Sequence, residues 1–463
     1  MKKFVLSITA GLIGLVSTAN NIVVSTATLS GQNVVAHTEV INFNVTWDNS
    51  WRTSINESNY DGAWIFVKYR RLSGPADWRH CTLNIAGAVQ GAGGGVLTVQ
   101  NDLKGAFINR AADGIGTVNF TGHQLVWNYG ADGVLDNETV EIRVFALEMV
   151  YIPTGGYQLG SGGTEAYVFK TGSTSTPYNV TNAPITWGTT GTNLNSNGNG
   201  VTTGTLAAAY PTGYNAFWMM KYEATQQQYV DFLNHLDLAR ATANNTPGIF
   251  TGTHPNLVAP QPERAVGTIT TQRMAALADW SGLRPYTEME FEKASRGANI
   301  PAIPNEYVWG STTITNLATV TGLGLSNEAV STPATANANI ASTYNVLTRA
   351  GIFARTTGST RELSGATYYG IMNMGDNTIE LCVNAITATG LAFDGSINGD
   401  GYLDAAGNTN ISNWATATAY GWRGSNFISS AIYARTSDRT QASAYGVDNA
   451  YSYVGIRLAR TAQ

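Results

Sequence analysis

The longest alternating run in the chain, TVEIRVFALEMVYI, limits how the N-terminal third of the sequence can fold. Apolar and polar residues that alternate with a period of two predict a β-strand with one face toward a core. VINFNVTW and AWIFVKYRR predict two more strands, and NYDG, LSGP, GAGGG and GADG supply turns. Several strands joined by glycine-rich turns, without a helical period, predict an all-β antiparallel sandwich over residues 20–146.

Five tryptophans fall within this predicted sandwich, and two interpretations of them stay open. They can fill the core, since aromatic side chains dominate the interiors of such domains. They can also be exposed platforms on which a sugar ring stacks. The five residues are Trp47, Trp51, Trp64, Trp78 and Trp127.

The first residues, MKKFVLSITAGLIGLVSTA, contain two lysines and an apolar run that ends in small residues. This pattern predicts a secretory signal peptide over residues 1–19, because the apolar run is shorter than the ~20 residues that a bilayer span needs. An uncleaved anchor is the alternative. We therefore expect an extracellular or cell-surface protein, with no membrane span after signal cleavage. Only 12% of the residues are charged and the net charge is −5, so no nucleic-acid partner is expected.

Beyond residue 146 the pattern changes to loops, short strands and two clear helix starts. Thr225 and Gln228 have the spacing of a capping box ahead of an apolar stripe. Thr287 and Glu290 repeat that spacing, and Gly297 is placed to end the second helix. The sequence thus predicts an α+β protein, in which a loop-rich domain with two main helices follows the sandwich.

The acidic residues of the second helix start, Glu288, Glu290 and Glu292, have the composition of an acid/base cluster. A structural role is favoured, because Glu290 has a capping position and negative charge in a first turn suits the helix dipole. Four arginines are expected to pair with acids or loop carbonyls: Arg284, Arg296, Arg457 and Arg460.

Eight segments in order resemble the formylglycine-generating enzyme (sulfatase-modifying factor) family. Together they span residues 147–463, and the N-terminal sandwich lies outside the resemblance. The resemblance implies a C-type-lectin-like fold for this domain. The segments are MVYIPTGGYQLGS, KYEATQQQYVDFLN, LRPYTEMEFEKASRG, YVWG, YYGIMNMGDNTIELC, GDGYLDAAGN, GWRGSNF and YVGIRLAR.

In that family, copper-dependent oxidation of a substrate cysteine uses two active-site cysteines. The resemblance places Ser429 and Ala434 at those positions, within RGSNFISSAIYAR. Neither a hydroxyl nor a methyl group replaces a thiolate as a ligand of Cu(I). The two cysteines that the chain has, Cys81 and Cys382, are expected to be free and buried, a disulfide between them being the alternative. We expect no copper and no oxidase activity.

The resemblance also implies a calcium site in GDNTIELC, formed by Asn377, Glu380 and loop carbonyls. Oxygen ligands from a flexible loop suit this ion. The alternative is that Asn377 caps a turn and Glu380 makes an ion pair. A second family site would use Asn339 and the carbonyl of Ile340, but its acidic partner is missing.

The C-terminal segment between GWRGSNF and the last strand predicts a binding surface. Its tyrosine, serine and asparagine content is typical of recognition loops. Three functions stay open: a secreted, non-catalytic module that recognises an extracellular protein or glycan; a structural subunit that assembles with itself into an extracellular layer, sheath or filament; or an enzyme of unknown chemistry. The predicted surface comprises Trp422, Tyr433, Tyr445, Tyr451 and Tyr453.

Overall fold

The computed structural model describes residues 21–55, 58–73, 77–196, 198, 203–354, 360–412, 414, 417–442 and 449–463. The predicted signal peptide lies outside these residues. Up to residue 152 the described chain consists of strands and turns. The strands are β1 (Val23–Val24), β2 (Thr28–Asn33), β3 (Thr38–Arg52), β4 (Tyr60–Arg71), β5 (Arg79–His80), β6 (Leu83–Val89), β7 (Gly95–Val99), β8 (Ala106–Arg110), β9 (Gly114–Trp127) and β10 (Val140–Ile152).

Two sheets face each other in this region and enclose an apolar core. In the first, β3 lies between β9 and the pair β1 and β2, and β6 forms the edge beyond β9. In the second, β4 lies between β10 and β8, and β7 forms the edge beyond β8. A bridge between Arg52 and Tyr60 joins the sheets where the chain passes from β3 to β4. Side chains of both sheets, including Trp47 and Ile65, form one buried cluster, which confirms the predicted sandwich.

The rest of the chain combines short strands with helices and loops, which confirms the α+β class. The strands are β11 (Tyr157–Leu159), β12 (Phe169–Thr171), β13 (Tyr178–Val180), β14 (Thr186–Trp187), β15 (Leu194–Ser196), β16 (Gly204–Thr205), β17 (Phe217–Met220), β18 (Thr251–Thr253), β19 (Asn256–Val258), β20 (Thr319–Thr321), β21 (Ala329–Thr332), β22 (Ile379–Val383), β23 (Tyr420–Arg423), β24 (Val454–Gly455) and β25 (Ala459–Thr461). The helices are α1 (Gln226–Asn234), α2 (Leu238–Asn244), α3 (Thr271–Trp280), α4 (Glu288–Arg296) and α5 (Ala388–Leu391), with 3-10 turns at Ala417–Ala419 and Ala431–Ala434.

Both predicted helix starts form as capping boxes. At α1, the Thr225 side chain accepts a hydrogen bond from the Gln228 backbone N–H, and the Gln228 side chain accepts one from the Thr225 backbone. Thr287 and Glu290 make the same exchange at α4, which ends at Gly297 with φ of 97°. The sequence did not predict α3, a helix of ten residues. Among the described residues, no helix is both long and apolar enough to cross a bilayer.

Strand β10 belongs to both of the predicted domains. It pairs with β4 from Val140 to Tyr151 on one side, and on the other its last four residues pair with β17. Strand β25 then pairs with β17, so the second sheet of the sandwich continues into the loop-rich region. The expected boundary between the domains 20–146 and 147–463 falls inside this strand.

The two faces of β4 pack against different parts of the molecule. Ile65 and Val67 point into the sandwich core, whereas Trp64 and Phe66 belong to the large apolar cluster of the C-terminal region. The Trp64 indole Nε1 donates to the carbonyl oxygen of Ser281 at 2.7 Å. Sandwich and C-terminal region thus share a buried contact that runs along a single strand.

Candidate functional site

The two residues that the resemblance places at the family's cysteine positions lie in a turn and a short 3-10 helix that follow β23. Ser429 is half-buried, and its backbone N–H donates to the carbonyl of Asn426 at 3.2 Å. Ser430 caps the 3-10 helix, at whose end Ala434 is fully buried in an apolar cluster with Trp309 and Met374. Neither position offers a soft ligand for a copper ion.

The two cysteines of the chain lie in separate apolar clusters. Cys81 belongs to the sandwich core, and Cys382 lies in β22 within the cluster that contains Ala434. Both are free and fully buried, as expected, and burial raises the pKa of each thiol well above its ordinary value. They cannot act together as a pair of thiolate ligands, so these side chains do not fit a copper site.

A network of buried ion pairs joins α4 to the C-terminal segment in which Ser429 and Ala434 lie. Glu288 accepts hydrogen bonds from Arg439 at 2.7 and 2.8 Å and from Arg423 at 3.2 Å. Burial alone would raise the pKa of Glu288, but the two guanidinium groups bring it below its ordinary value. Glu292 binds both Arg423 and Arg296. These carboxylates are fully occupied by arginines, which supports the structural interpretation of the acidic cluster.

The four arginines expected to pair with acids all do so. Arg284 binds Glu290, Arg296 binds Glu292 and Glu306, Arg457 binds Glu380, and Arg460 binds Asp102 of the sandwich. The Arg460 pair is a second connection between the C-terminal region and the sandwich.

The residues predicted to hold calcium are close in the chain but engaged with protein partners. Both oxygens of Glu380 accept from the Arg457 Nε, at 2.8 and 3.0 Å, and Tyr286 donates to one of them. The Asn377 side-chain oxygen accepts from the side chain of Asn339 and twice from Thr348. Glu380 thus binds the guanidinium group of Arg457, which matches the alternative interpretation that this glutamate makes an ion pair.

At the second predicted calcium position, the side-chain oxygen of Asn339 is also engaged by a protein donor. The Asn339 side-chain oxygen accepts from the Ser342 hydroxyl at 2.6 Å, and Ile340 is fully buried among apolar residues. No group of three or more His, Cys, Asp or Glu side chains that could hold a metal occurs among the described residues. The side chains of Asn377, Glu380 and Asn339, as arranged here, do not fit a calcium ion.

One buried acid in this region was not predicted from the sequence. Glu223 accepts hydrogen bonds from the Asn377 side chain and from the backbone and hydroxyl of Thr378. Burial, with the neighbouring Glu380 carboxylate, raises the pKa of Glu223 to about 8. Its position two residues before the Thr225 cap gives no sign of this role, since the partners lie 154 residues away in sequence.

The structure brings three of the five predicted surface aromatics together. Tyr451 and Tyr453 stack with ring centroids 5.1 Å apart and an interplanar angle of 5°. Trp422 meets both rings edge-on, at 6.0 and 6.5 Å. Tyr433 lies in the 3-10 helix and contacts none of the described aromatic rings, and Tyr445 lies outside the described residues. We call Trp422, Tyr451 and Tyr453 the aromatic cluster.

The aromatic cluster reaches the surface through its tyrosines. Tyr451 is 38% exposed and Tyr453 is half-buried, whereas Trp422 is 7% exposed. The Trp422 indole nitrogen is buried and has no hydrogen-bond partner among the described residues. The buried Trp422 ring thus packs against Tyr451, which is exposed at the surface.

A cleft of about 270 Å³ opens between the sandwich and the C-terminal region. Trp78 of the sandwich and His235, which follows α1, face each other in it with ring centroids 4.7 Å apart. Asp77, Arg240 and Tyr402 add charged and polar groups to this aromatic lining. Trp78 and Trp51 are the half-buried members of the five sandwich tryptophans; Trp47, Trp64 and Trp127 are core residues.

Comparison with known proteins agrees with this architecture. The family described as sulfatase-modifying factor enzyme 1-like domain matches residues 143–462. No curated protein matches the chain. The match begins within β10, four residues before the boundary expected from the sequence, and covers more than half of the chain. The protein therefore belongs to the sulfatase-modifying factor enzyme 1-like domain family.

Proposed function

We propose that this protein is a secreted, non-catalytic member of its family that recognises an extracellular glycan or protein through the aromatic cluster. The observation that carries the proposal is the parallel stack of Tyr451 and Tyr453 on the buried edge of Trp422. Two segments of the sequence meet there, around residue 422 and around residues 451–453, and the outermost ring is 38% exposed.

The chemistry of the two cysteine positions supports a non-catalytic role. The family reaction implied by the resemblance requires two thiolates in one place, and this chain has two cysteines in separate apolar clusters. The acids of α4 are neutralised by arginines, so they offer no free acid/base pair. The scaffold is kept without the groups that would perform the oxidation.

The geometry of the cluster supports recognition. Stacked tyrosines present a broad face at a small entropic cost, because each has only two side-chain torsions to fix. Tyrosine and tryptophan are enriched among the residues that carry most of the binding energy in interfaces. The neighbouring hydroxyls can bond to the polar groups of a sugar or a peptide.

The proposal is tested by replacing Tyr451 with Ala and applying the labelled protein to arrays of extracellular polysaccharides and purified extracellular proteins. We expect binding by the unchanged protein and a loss of at least tenfold in affinity for Tyr451→Ala, with the melting temperature preserved. Tyr433→Ala is the matched control, since this half-buried tyrosine lies outside the cluster. Equal losses in the two variants, or binding that Tyr451→Ala leaves intact, would refute the assignment.

A second candidate function, assembly with copies of itself, is favoured by the edge strand β6. Within the described residues β6 pairs with β9 alone, and Ile85 on it is 57% exposed. Unprotected apolar edge strands are templates for pairing with another chain. If this edge mediates assembly, Ile85→Lys abolishes oligomers in sedimentation velocity experiments, whereas Val35→Lys, at an exposed turn, does not.

A further inference from the structure

A lysine and two carboxylates meet in a buried site between the sandwich and the C-terminal region. The Lys221 Nζ lies 3.0 Å from the Asp61 Oδ2 and 2.9 Å from the Glu148 Oε2. Lys221 directly follows β17, Asp61 lies in β4 and Glu148 in β10, so three neighbouring strands supply the groups. All three side chains are at most 2% exposed.

The surroundings of Asp61 polarise its carboxyl group. The Ser50 hydroxyl and the Trp51 backbone N–H donate to its Oδ1, at 2.8 and 3.0 Å. The Trp47 indole donates to Oδ2 at 3.0 Å. Two donors on one oxygen are the arrangement that stabilises negative charge on a carbonyl oxygen under nucleophilic attack.

The site holds one more acid than the lysine can neutralise. Lys221 also lies over the Trp51 ring, at 4.9 Å from its centroid, so the surroundings are aromatic and dry. The second oxygen of Glu148, Oε1, is buried without a hydrogen-bond partner among the described residues. Burial raises the pKa of Glu148 to about 7. Burial alone would lower the pKa of Lys221, but the Asp61 and Glu148 carboxylates raise it above its ordinary value, so the lysine enters the reaction as an ammonium ion and Glu148 must take its proton. The buried pairs of α4 differ, because an arginine cannot lose its proton and cannot act as a nucleophile.

We propose that Lys221 and Asp61 condense to an intramolecular isopeptide bond, and that Glu148 carries the protons of this reaction. The Lys221 Nζ already lies 3.0 Å from an oxygen of the Asp61 carboxyl group, which replaces an encounter between molecules by a reaction within one. The product is an amide between the Lys221 Nζ and the Asp61 Cγ, together with one molecule of water.

The proton and bond changes balance without a further reactant. Glu148 first relays one proton from the Lys221 ammonium to the Asp61 Oδ2, so that a neutral amine faces a neutral carboxylic acid. The freed nitrogen lone pair attacks the Asp61 Cγ and moves the carbonyl electron pair to Oδ1, and Glu148 then carries a second proton from the nitrogen to Oδ2. The Cγ–Oδ2 bond then breaks, water leaves, the Oδ1 carbonyl re-forms, and Glu148 ends as the carboxylate it was.

The bond would join β4 to the residue after β17, across 160 positions of the chain. It would add a covalent tie between the sandwich and the family domain beside the strand that they share. A cross-link over so long a loop restricts the unfolded chain. We therefore expect the linked protein to melt at a higher temperature than its unlinked variants.

The experiment is intact mass spectrometry of the natively purified, then denatured, full chain. We expect a mass below that of the amino-acid sequence by one water, and a branched peptide joining the segments around residues 61 and 221 after proteolysis. Lys221→Arg, which keeps the charge but removes the nucleophile, and Glu148→Gln should both have the full mass. Asp61→Asn should lose ammonia in place of water.

Lys104→Arg is the control, because this half-buried lysine lies at the Tyr402 ring and away from the site. It should retain the mass deficit of the unchanged protein. Circular dichroism of each variant establishes that it is folded. If the folded, unchanged protein has the mass calculated from its amino-acid sequence, the proposal is overturned and Lys221 makes an ordinary buried ion pair. A deficit that persists in Glu148→Gln would overturn the role of Glu148.

Discussion

Replacing Trp64 with Ala tests whether the sandwich and the family domain share one core. The side chain is fully buried, although it projects from a sandwich strand. Truncating a buried tryptophan costs about 3–5 kcal/mol through lost transfer energy and the cavity that remains. The carbonyl of Ser281 loses its donor, at about 1–3 kcal/mol for an unsatisfied buried group. The Arg460 guanidinium, 4.0 Å from the ring centroid, loses a partner as well. We expect the free energy of unfolding to fall by about 4 kcal/mol or more.

The measurement is urea unfolding followed by far-ultraviolet circular dichroism, with Trp64→Phe and Trp78→Ala as companions. Trp64→Phe keeps most of the ring and should cost about 1–3 kcal/mol, mainly the lost donor. Trp78→Ala, at a half-buried site in the cleft, should cost less than Trp64→Ala. A loss below about 2 kcal/mol for Trp64→Ala, or a separate late transition that the substitution does not shift, would refute the shared core.

Three further results follow from the structure. Burial lowers the pKa of His235 from 6.5 to about 4, so the unfolded chain binds a proton that the folded protein does not. Stability should therefore fall as the pH decreases from 6.5 to 4, and His235→Gln should make that loss smaller in melting experiments. Since protein donors already engage the oxygens of Asn377 and Glu380, EDTA should leave the melting temperature unchanged. A decrease of several degrees, with calcium found by elemental analysis, would restore the calcium hypothesis. Because Cys81 and Cys382 are buried apart, the protein with copper, oxygen and a cysteine peptide should form no formylglycine above a control without protein.

Local signals in the sequence predicted the helices that begin with a capping box, because the two partners of that motif are three residues apart. They did not predict α3. Eight of its residues are buried, from Thr271 to Trp280, so no apolar stripe with a polar opposite face appears in its sequence. Thr270 caps it, but Arg273 stands where a capping box needs Glu or Gln.

The site shows the same division between local and distant information. The family could be identified from the sequence segments, and the structure brings Trp422, Tyr451 and Tyr453 together, three of the five residues predicted to form a surface. The partners of Glu380 could not, because Arg457 lies 77 residues further on and only the fold brings it to the carboxylate. The double pairing of β10 was not predictable for a related reason: its strand partners lie far away in sequence on both sides, and its own sequence carries no break at residue 146.

The shared strand β10 has a consequence for how such a chain can evolve. Domains are commonly exchanged between proteins because their boundaries fall in linkers that few contacts cross. Here a recombination event at the edge of the family domain would divide β10. It would also expose the face of β4 from which Trp64 and Phe66 project into the C-terminal apolar cluster. Any new neighbour would have to supply a strand in the place of β4, with large apolar side chains at alternate positions. The sandwich and the family domain therefore cannot be separated at residue 146 without dividing β10.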